Sequence, residues 1–134
     1  MFMTNSIQTL TSPVPKVITP GMHAVADYSA AAGLVAMGAY LRNKNSRASA
    51  FAFANAGLVL LTSLFTNYPG GVARGMTFKM HGTMDVMQAG LLALGPTLLG
   101  FTRTKEADMF YGQAALEMGV VAATDWDAAT GVTL

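Results

Sequence analysis

The sequence matches itself at one fixed offset, the shift that places His23 on His81. This repeat offset superimposes rare polar residues and their neighbours: Met22-His23 on Met80-His81, Asp27 on Asp85, Asn55 on Gln113, and Thr66-Asn67-Tyr68 on Thr124-Asp125-Trp126. Chance alignment of apolar residues is common in a chain that is 52% hydrophobic, whereas chance alignment of its few polar residues is not. We therefore predict two tandem structural repeats, residues 19–69 and 78–127.

Each repeat contains two long apolar segments. They run over residues 21–41, 49–66, 78–100 and 107–124. Each is close to the roughly 20 residues that a helix needs to cross a bilayer. The segments lack the alternation of a half-buried strand and are rich in helix-forming Ala, Leu and Met. The sequence thus predicts an all-α fold, a four-helix transmembrane bundle made of two tandem helical hairpins.

Charge is scarce along the whole chain. Only 11% of its residues are charged and its net charge is +1. Soluble domains carry about 25% charged residues, so this chain has too few to cover its surface unless lipid covers part of it. The low net charge argues against a nucleic-acid partner, and the absence of Cys excludes disulfides and thiolate metal sites. We expect an integral membrane protein whose main partner is the bilayer.

The predicted hairpins place both ends of the chain on one membrane face. Tyr68 and Trp126 end the second and fourth segments there, and we expect them to be interfacial anchors. The hairpin loops on the other face carry more basic residues, namely Arg42, Lys44, Arg47, Arg103 and Lys105 against Lys16, Arg74 and Lys79. This imbalance favours cytoplasmic loops and external termini in a bacterial inner membrane. Residues 1–18 and 128–134 are predicted tails and residues 70–77 a linker. The polar ends of the chain, residues 1–16 and 127–134, are expected to be disordered unless a partner holds them.

Two HxxxD pairs are the chemically distinctive feature. His23 and Asp27 lie four residues apart, as do His81 and Asp85, so each pair shares one helix face. Glu117 lies seven residues before the end of the fourth segment and is predicted to reach the same depth. Two imidazoles and three carboxylates are then expected in one layer of the bundle. Ionised groups in hydrocarbon are costly and normally face the bundle interior.

Four interpretations of this layer follow from its chemistry. The groups can hydrogen-bond across helices and fix the packing of the hairpins. His and carboxylate ligands from facing helices can bind a divalent metal such as Zn, Mn or Fe. His23 and His81 can ligate a haem. Asp27, Asp85 and Glu117 can form a proton or ion relay. The sequence contains no motif that indicates a catalytic nucleophile.

The quoted residues also resemble a known family. The pattern TPxxHxxxDY occurs as Thr19-Pro20 through Asp27-Tyr28, a TxY helix end as Thr66-Asn67-Tyr68, and a second HxxxD from His81 to Asp85. This resembles the small bacterial and archaeal membrane proteins with SPW repeats, over about residues 19–124. The Ser-Pro-Trp tripeptide itself is absent, and Gly95-Pro96-Thr97 stands in its place. The resemblance implies a duplicated four-helix membrane protein and supplies no activity.

Taken together, these features lead to two functional expectations. The first is a non-enzymatic membrane protein, either a structural or accessory subunit of a larger assembly or a homo-oligomer. The second is an intramembrane metal or haem site on His23, Asp27, His81, Asp85 and Glu117.

Overall fold

The computed structural model describes residues 13–132, and this part of the chain is all-α. Its four helices are α1 (Pro20–Leu41), α2 (Ser46–Phe65), α3 (Phe78–Leu98) and α4 (Lys105–Ala123). Over the same residues the structure has no β-strand and only two isolated β-bridges. The predicted all-α class is confirmed. Residues 1–12 and 133–134, which belong to the predicted tails, lie outside the described residues.

Polar side chains fix the starts of three helices. The side chains of Thr19 and Thr77 accept hydrogen bonds from backbone N–H groups in the first turns of α1 and α3, at 3.2 and 3.1 Å. Asn45 does the same for α2, which explains why this helix begins before the predicted Ser49. Thr104 is the N-cap of α4, as predicted, but its hydroxyl donates to the backbone carbonyl oxygen of Phe101 instead.

The helices pack mainly as two pairs. α1 lies along α2 and α3 along α4, whereas α2 and α3 share fewer contacts and α1 and α4 fewer still. The core between them is built from small residues and a few large ones, among them the fully buried Leu34, Leu92 and Phe110. Gly95 is required by close packing, because a Cβ at this position would lie 2.1 Å from the ring of Phe51.

Short backbone bridges tie the segments before α1 and α3 to the ends of α4 and α2. Ile18 N–H donates to Ala123 O at 2.9 Å, and Met76 N–H donates to Phe65 O at 2.8 Å. The two donors are related by the repeat offset, and so are the two acceptors. Side chains add a hydrogen bond from Lys16 to the Ala122 carbonyl and an ion pair between Lys79 and Asp127. The backbone bridges join the segment that precedes each hairpin to the end of the other hairpin.

Polarity is distributed unusually over the helices. Much of the buried surface is polar, and includes His23, Asp27, Ser49, Asn55, Thr62, Ser63, Thr66, His81, Asp85, Gln88 and Thr124. Large apolar side chains are exposed on all four helices, including Val25 and Val35, Leu60 and Leu61, Met87 and Leu94, and Leu116 and Met118. Among the described helices, α1 and α2 are long and apolar enough to cross a membrane.

Candidate metal centre

Two helices bring their HxxxD pairs together at one end of the bundle. His23 and Asp27 occupy successive turns of α1, and His81 and Asp85 occupy the equivalent turns of α3. All four side chains are buried, with both imidazoles completely inaccessible. The prediction that these residues form one polar layer inside the bundle agrees with this arrangement. One nitrogen or oxygen atom from each of the four residues lies within 4.8 Å of the other three.

The four side chains alternate around a closed ring. His23 Nε2 lies 3.3 Å from Asp27 Oδ1 and 3.0 Å from Asp85 Oδ2. His81 Nε2 lies 3.0 Å from Asp27 Oδ2 and 3.2 Å from Asp85 Oδ1. Each carboxylate therefore bridges both imidazoles. The His81 contacts have ion-pair distances but lack hydrogen-bond alignment, so His81 Nε2 is a buried nitrogen without a hydrogen-bond partner.

A threonine hydroxyl orients each imidazole from behind. Thr124 Oγ1 lies 2.9 Å from His23 Nδ1, and Thr66 Oγ1 lies 2.7 Å from His81 Nδ1. Each hydroxyl also donates, at 2.6 Å, to the carbonyl oxygen four residues earlier in its own helix. A hydroxyl has one proton to donate, so its oxygen can only accept from the imidazole. The geometry therefore assigns the proton of each ring to Nδ1 and directs each Nε2 to the centre of the ring.

This tautomer leaves two electrically balanced states for the cluster. In one, both Nε2 atoms carry protons, and two imidazolium ions face two carboxylates. In the other, both Nε2 lone pairs and both carboxylates face a divalent cation, which supplies the same two positive charges. An acceptor for the far N–H of a ligating histidine is the usual second shell of a metal site. Here Thr66 and Thr124 provide these acceptors.

Three aromatic side chains cover the cluster at the end of the bundle. Trp126 and Phe78 lie with ring centroids 4.9 and 5.5 Å from that of His23, and Tyr68 lies 5.3 Å from His81. All three are almost completely buried, so the prediction that Tyr68 and Trp126 are interfacial anchors is wrong. Their sequence position at a helix end gave no sign that the chain turns inward after α2 and α4.

Tyr68 also contributes a polar contact to the cluster. Its hydroxyl donates a hydrogen bond to Asp27 Oδ2 at 2.7 Å. Burial raises the pKa of the Tyr68 hydroxyl well above its usual range, and the neighbouring Asp27 carboxylate raises it further. Tyr68 is therefore a neutral donor to the carboxylate, which fixes the orientation of Asp27 toward both imidazoles.

Glu117 stands apart from the four-residue ring. It lies on α4 and lines a cavity that also reaches His23, Asp27 and Asp85. One of its oxygens, Oε2, is buried and has no hydrogen-bond partner. Its predicted place at the depth of the aspartates agrees with this shared cavity. It is not among the four residues whose ligand atoms converge.

The spacing of the four ligand atoms suits a small divalent ion. Ligands at about 2.0–2.1 Å from a tetrahedral Zn²⁺ stand roughly 3.3 Å from one another. The four nitrogen–oxygen contacts of the ring, which use both oxygens of each aspartate, are 3.0–3.3 Å long. Four single ligand atoms, one from each residue, lie within 4.8 Å of one another, so the side chains would move slightly closer around such an ion. A haem fits this arrangement poorly, because the carboxylates that bridge both imidazoles occupy the space that a flat macrocycle would need.

Sequence reasoning did not assign any role to Thr66 and Thr124. The signal was present, since the repeat offset superimposes the two threonines as it superimposes the two histidines. Their hydroxyls reach the imidazoles only because each lies just past the end of its helix, where the backbone is extended.

No family model, curated protein or solved structure matches this chain.

Proposed function

We propose that this protein is a membrane-embedded metal-binding protein, with His23, Asp27, His81 and Asp85 as the ligands of one divalent transition-metal ion. The observation that carries the proposal is the convergence of four buried ligand atoms from two helices, within 4.8 Å of one another. The threonine hydroxyls behind both imidazoles support it, because they leave each Nε2 lone pair available for a metal.

The donor set narrows the class of ion. Two imidazole nitrogens and two carboxylate oxygens suit Zn²⁺, Mn²⁺ or Fe²⁺, whereas soft ions such as Cu⁺ prefer the sulfur ligands that this cluster lacks. Two carboxylates also neutralise a divalent ion completely. A neutral centre is the arrangement that costs least in a low-dielectric interior, where a net charge is heavily penalised.

The membrane location rests on the distribution of polarity. The ionisable residues of the HxxxD pairs are buried, and the exposed charged residues of the helices lie in first turns, while Val, Leu and Met side chains are exposed along the helix surfaces. Exposed large apolar side chains occur on all four helices, and lipid would solvate them. The 22 residues of α1 give a length of about 33 Å, close to the hydrocarbon thickness.

We further propose two tandem hairpin repeats and an orientation in the bacterial inner membrane. Hydrogen bonds that recur in pairs at the repeat offset support the repeats. The basic residues of the α1–α2 and α3–α4 loops favour the cytoplasm for those loops and the outside for both termini. Membership of the SPW-repeat family is part of the same proposal, based on the motifs of the sequence.

A second candidate function is a non-enzymatic structural or accessory subunit of a membrane assembly, or a homo-oligomer. The observation that favours it is the closed ring of contacts, since imidazolium and carboxylate groups can satisfy one another without an ion. In this case the cluster only joins α1 to α3. Buried ion pairs sometimes have such a role in specifying which elements pack together.

The test is a Zn²⁺ titration of the full-length protein in detergent, with a competing chelator as indicator. We expect one ion per chain in the wild type and at least about tenfold weaker binding in Asp85→Asn, which keeps the shape but removes one charged ligand. Asp108→Asn, an exposed site on α4, is the matched control and should bind like the wild type. Absence of saturable binding, repeated with Mn²⁺ and Fe²⁺, would favour the structural candidate.

The membrane location has its own test. Membranes that contain the protein are washed with alkaline carbonate, which removes peripheral proteins. We expect the protein to stay in the pellet and to enter solution only with detergent. Release by carbonate alone would contradict the membrane assignment and leave the metal titration unaffected.

A further inference from the structure

A cavity of about 380 Å³ opens between α1 and α4 beside the His/Asp ring. Most of its wall surface is apolar and comes from Ala26, Ala30, Gly33, Val59, Leu116 and Val120. The ring residues His23, Asp27 and Asp85, together with Ser29, Gln113 and Glu117, complete the lining. This volume lies at the lower end of the range for small-molecule sites, roughly 300–1,000 Å³. It therefore suits a compact ligand of about one ring rather than a whole lipid.

The cavity exists on this side of the bundle because α1 carries small residues. The residues of α3 that the repeat offset aligns with them have larger side chains. Met84 aligns with Ala26, Met87 with Ser29, Gln88 with Ala30 and Leu91 with Gly33. The Gln88 side chain also donates a hydrogen bond to the backbone oxygen of Asn55, which joins α3 to α2. Ala30 has no side chain that could do the same, and the contact of α1 with α4 is correspondingly slight.

Glu117 is the second difference between the α1–α4 side of the bundle and the α3–α2 side. The repeat offset aligns it with Val59, so a carboxyl group stands where the other half of the chain has an apolar side chain. Glu117 lines the cavity, and its Oε2 atom is buried without a hydrogen-bond partner. Glu117 lies outside the four-residue ring, and no ring residue donates a hydrogen bond to its Oε2 atom. A buried carboxylate oxygen of this kind is costly unless a ligand compensates it with a hydrogen bond or a positive charge.

We propose that the cavity between α1 and α4 binds a small lipophilic organic cation, whose charged head pairs with Glu117. The apolar walls contact the hydrocarbon part of the ligand, and the carboxylate supplies the negative charge that the cationic head requires. The exposed apolar surface around the cavity restricts the ligand to molecules that partition into lipid. The cavity adjoins the proposed metal centre, because His23, Asp27 and Asp85 also line it, but the pairing with Glu117 does not require that centre to hold a metal.

The experiment measures binding of radiolabelled phenyltrimethylammonium to the full-length protein in detergent, with a metal chelator present. Unlabelled phenyltrimethylammonium and tert-butylbenzene, which has the same shape without the charge, serve as competitors. Four variants accompany the wild type. Glu117→Gln removes the charge, Glu117→Asp keeps it, Gly33→Leu fills the cavity with the residue found at Leu91, and Asp108→Asn is a charge control on the same helix.

We expect one saturable site in the wild type and in Asp108→Asn, with tert-butylbenzene at least about tenfold weaker as a competitor. Glu117→Gln should lose at least about tenfold in affinity for the cation, Glu117→Asp should retain most of it, and Gly33→Leu should abolish binding. Circular dichroism of each variant verifies that its helices are intact. Equal competition by the neutral molecule, wild-type affinity in Glu117→Gln, or no saturable binding in the wild type would overturn the proposal.

Discussion

Replacement of Thr66 or Thr124 by valine tests whether the hydroxyls behind the imidazoles hold the metal ligands in place. Valine has the shape of threonine but cannot accept a hydrogen bond, so each variant removes the contact at 2.7 Å from His81 Nδ1 or 2.9 Å from His23 Nδ1. It also removes the hydrogen bond that the hydroxyl donates to a carbonyl oxygen of its own helix, a loss that the control variant below reproduces. The ligand itself stays in the chain. Any loss of metal affinity then comes from the orientation and basicity of the imidazole.

The expected size of the effect follows from two facts about the contact. Each histidine is completely buried, so its Nδ1–H group has no water to replace the lost acceptor. An unsatisfied buried donor costs about 1–3 kcal/mol, and loss of a second-shell partner typically weakens metal binding by about 10- to 100-fold. We therefore expect Thr66→Val and Thr124→Val each to lose about 10- to 100-fold in Zn²⁺ affinity.

The assay is competition for Zn²⁺ between the detergent-purified protein and a chromophoric chelator. Thr62→Val is the matched control, because the Thr62 hydroxyl donates only to carbonyl oxygens of its own helix and does not touch an imidazole. It should bind Zn²⁺ like the wild type. If Thr66→Val and Thr124→Val also bind like the wild type, the threonines do not orient the ligands and the assigned tautomer is wrong.

Three further predictions concern the stability of the bundle. Gly95→Ala should lower the free energy of unfolding by about 1–3 kcal/mol, because the new Cβ would overlap the facing phenyl ring of α2. Gly90→Ala is the control, because a Cβ there meets open space and should not destabilise the protein. Thermal unfolding in detergent compares the two variants, and equal midpoints would contradict the packing. Tyr68→Phe removes the hydrogen bond to Asp27 and should cost about 1.5–3 kcal/mol in the same measurement, so unchanged stability would show that this contact contributes nothing. Free Zn²⁺ at about 100 times its dissociation constant should raise the free energy of unfolding by about 2.7 kcal/mol, and chelator should reverse the rise; the same gain in Asp85→Asn would indicate that the ion binds elsewhere.

The helices were predictable because their signals are local. Long apolar runs separated by loops with Gly, Pro and charged residues predict the four helices, and most of the observed boundaries lie close to the predicted ones. The exception is the start of α2, where Asn45 caps the helix earlier than the apolar pattern suggests. A single side-chain hydrogen bond moved that boundary.

The candidate site was predictable as a set of residues but not as a geometry. The HxxxD spacing and the repeat offset identified His23, Asp27, His81 and Asp85 as neighbours. They did not indicate that each carboxylate would bridge both imidazoles, because that depends on the distance between α1 and α3. The position of Glu117 in a cavity also depends on small residues of α1, and a helical periodicity on α4 alone contains no information about them.

The aromatic residues show where sequence reasoning failed. Tyr68 and Trp126 follow the ends of α2 and α4, which is the usual place for interfacial anchors. In the structure the chain after each helix turns back over the bundle, held by the backbone bridges of Ile18 and Met76. These bridges join separate segments of the chain, so no local pattern announced that the two rings would be buried against the histidines.

X-ray absorption spectroscopy of the Zn²⁺-loaded protein tests the proposed metal centre most directly. The measurement reports the number and type of atoms around the ion in the full-length protein in detergent. The His/Asp ring predicts one ion per chain with four nitrogen and oxygen ligands at about 2.0–2.1 Å, and with the scattering of two imidazole rings. Loss of the imidazole scattering in a His23→Gln/His81→Gln double variant would complete the assignment. An ion with no imidazole around it, or a protein that retains no ion, would contradict it.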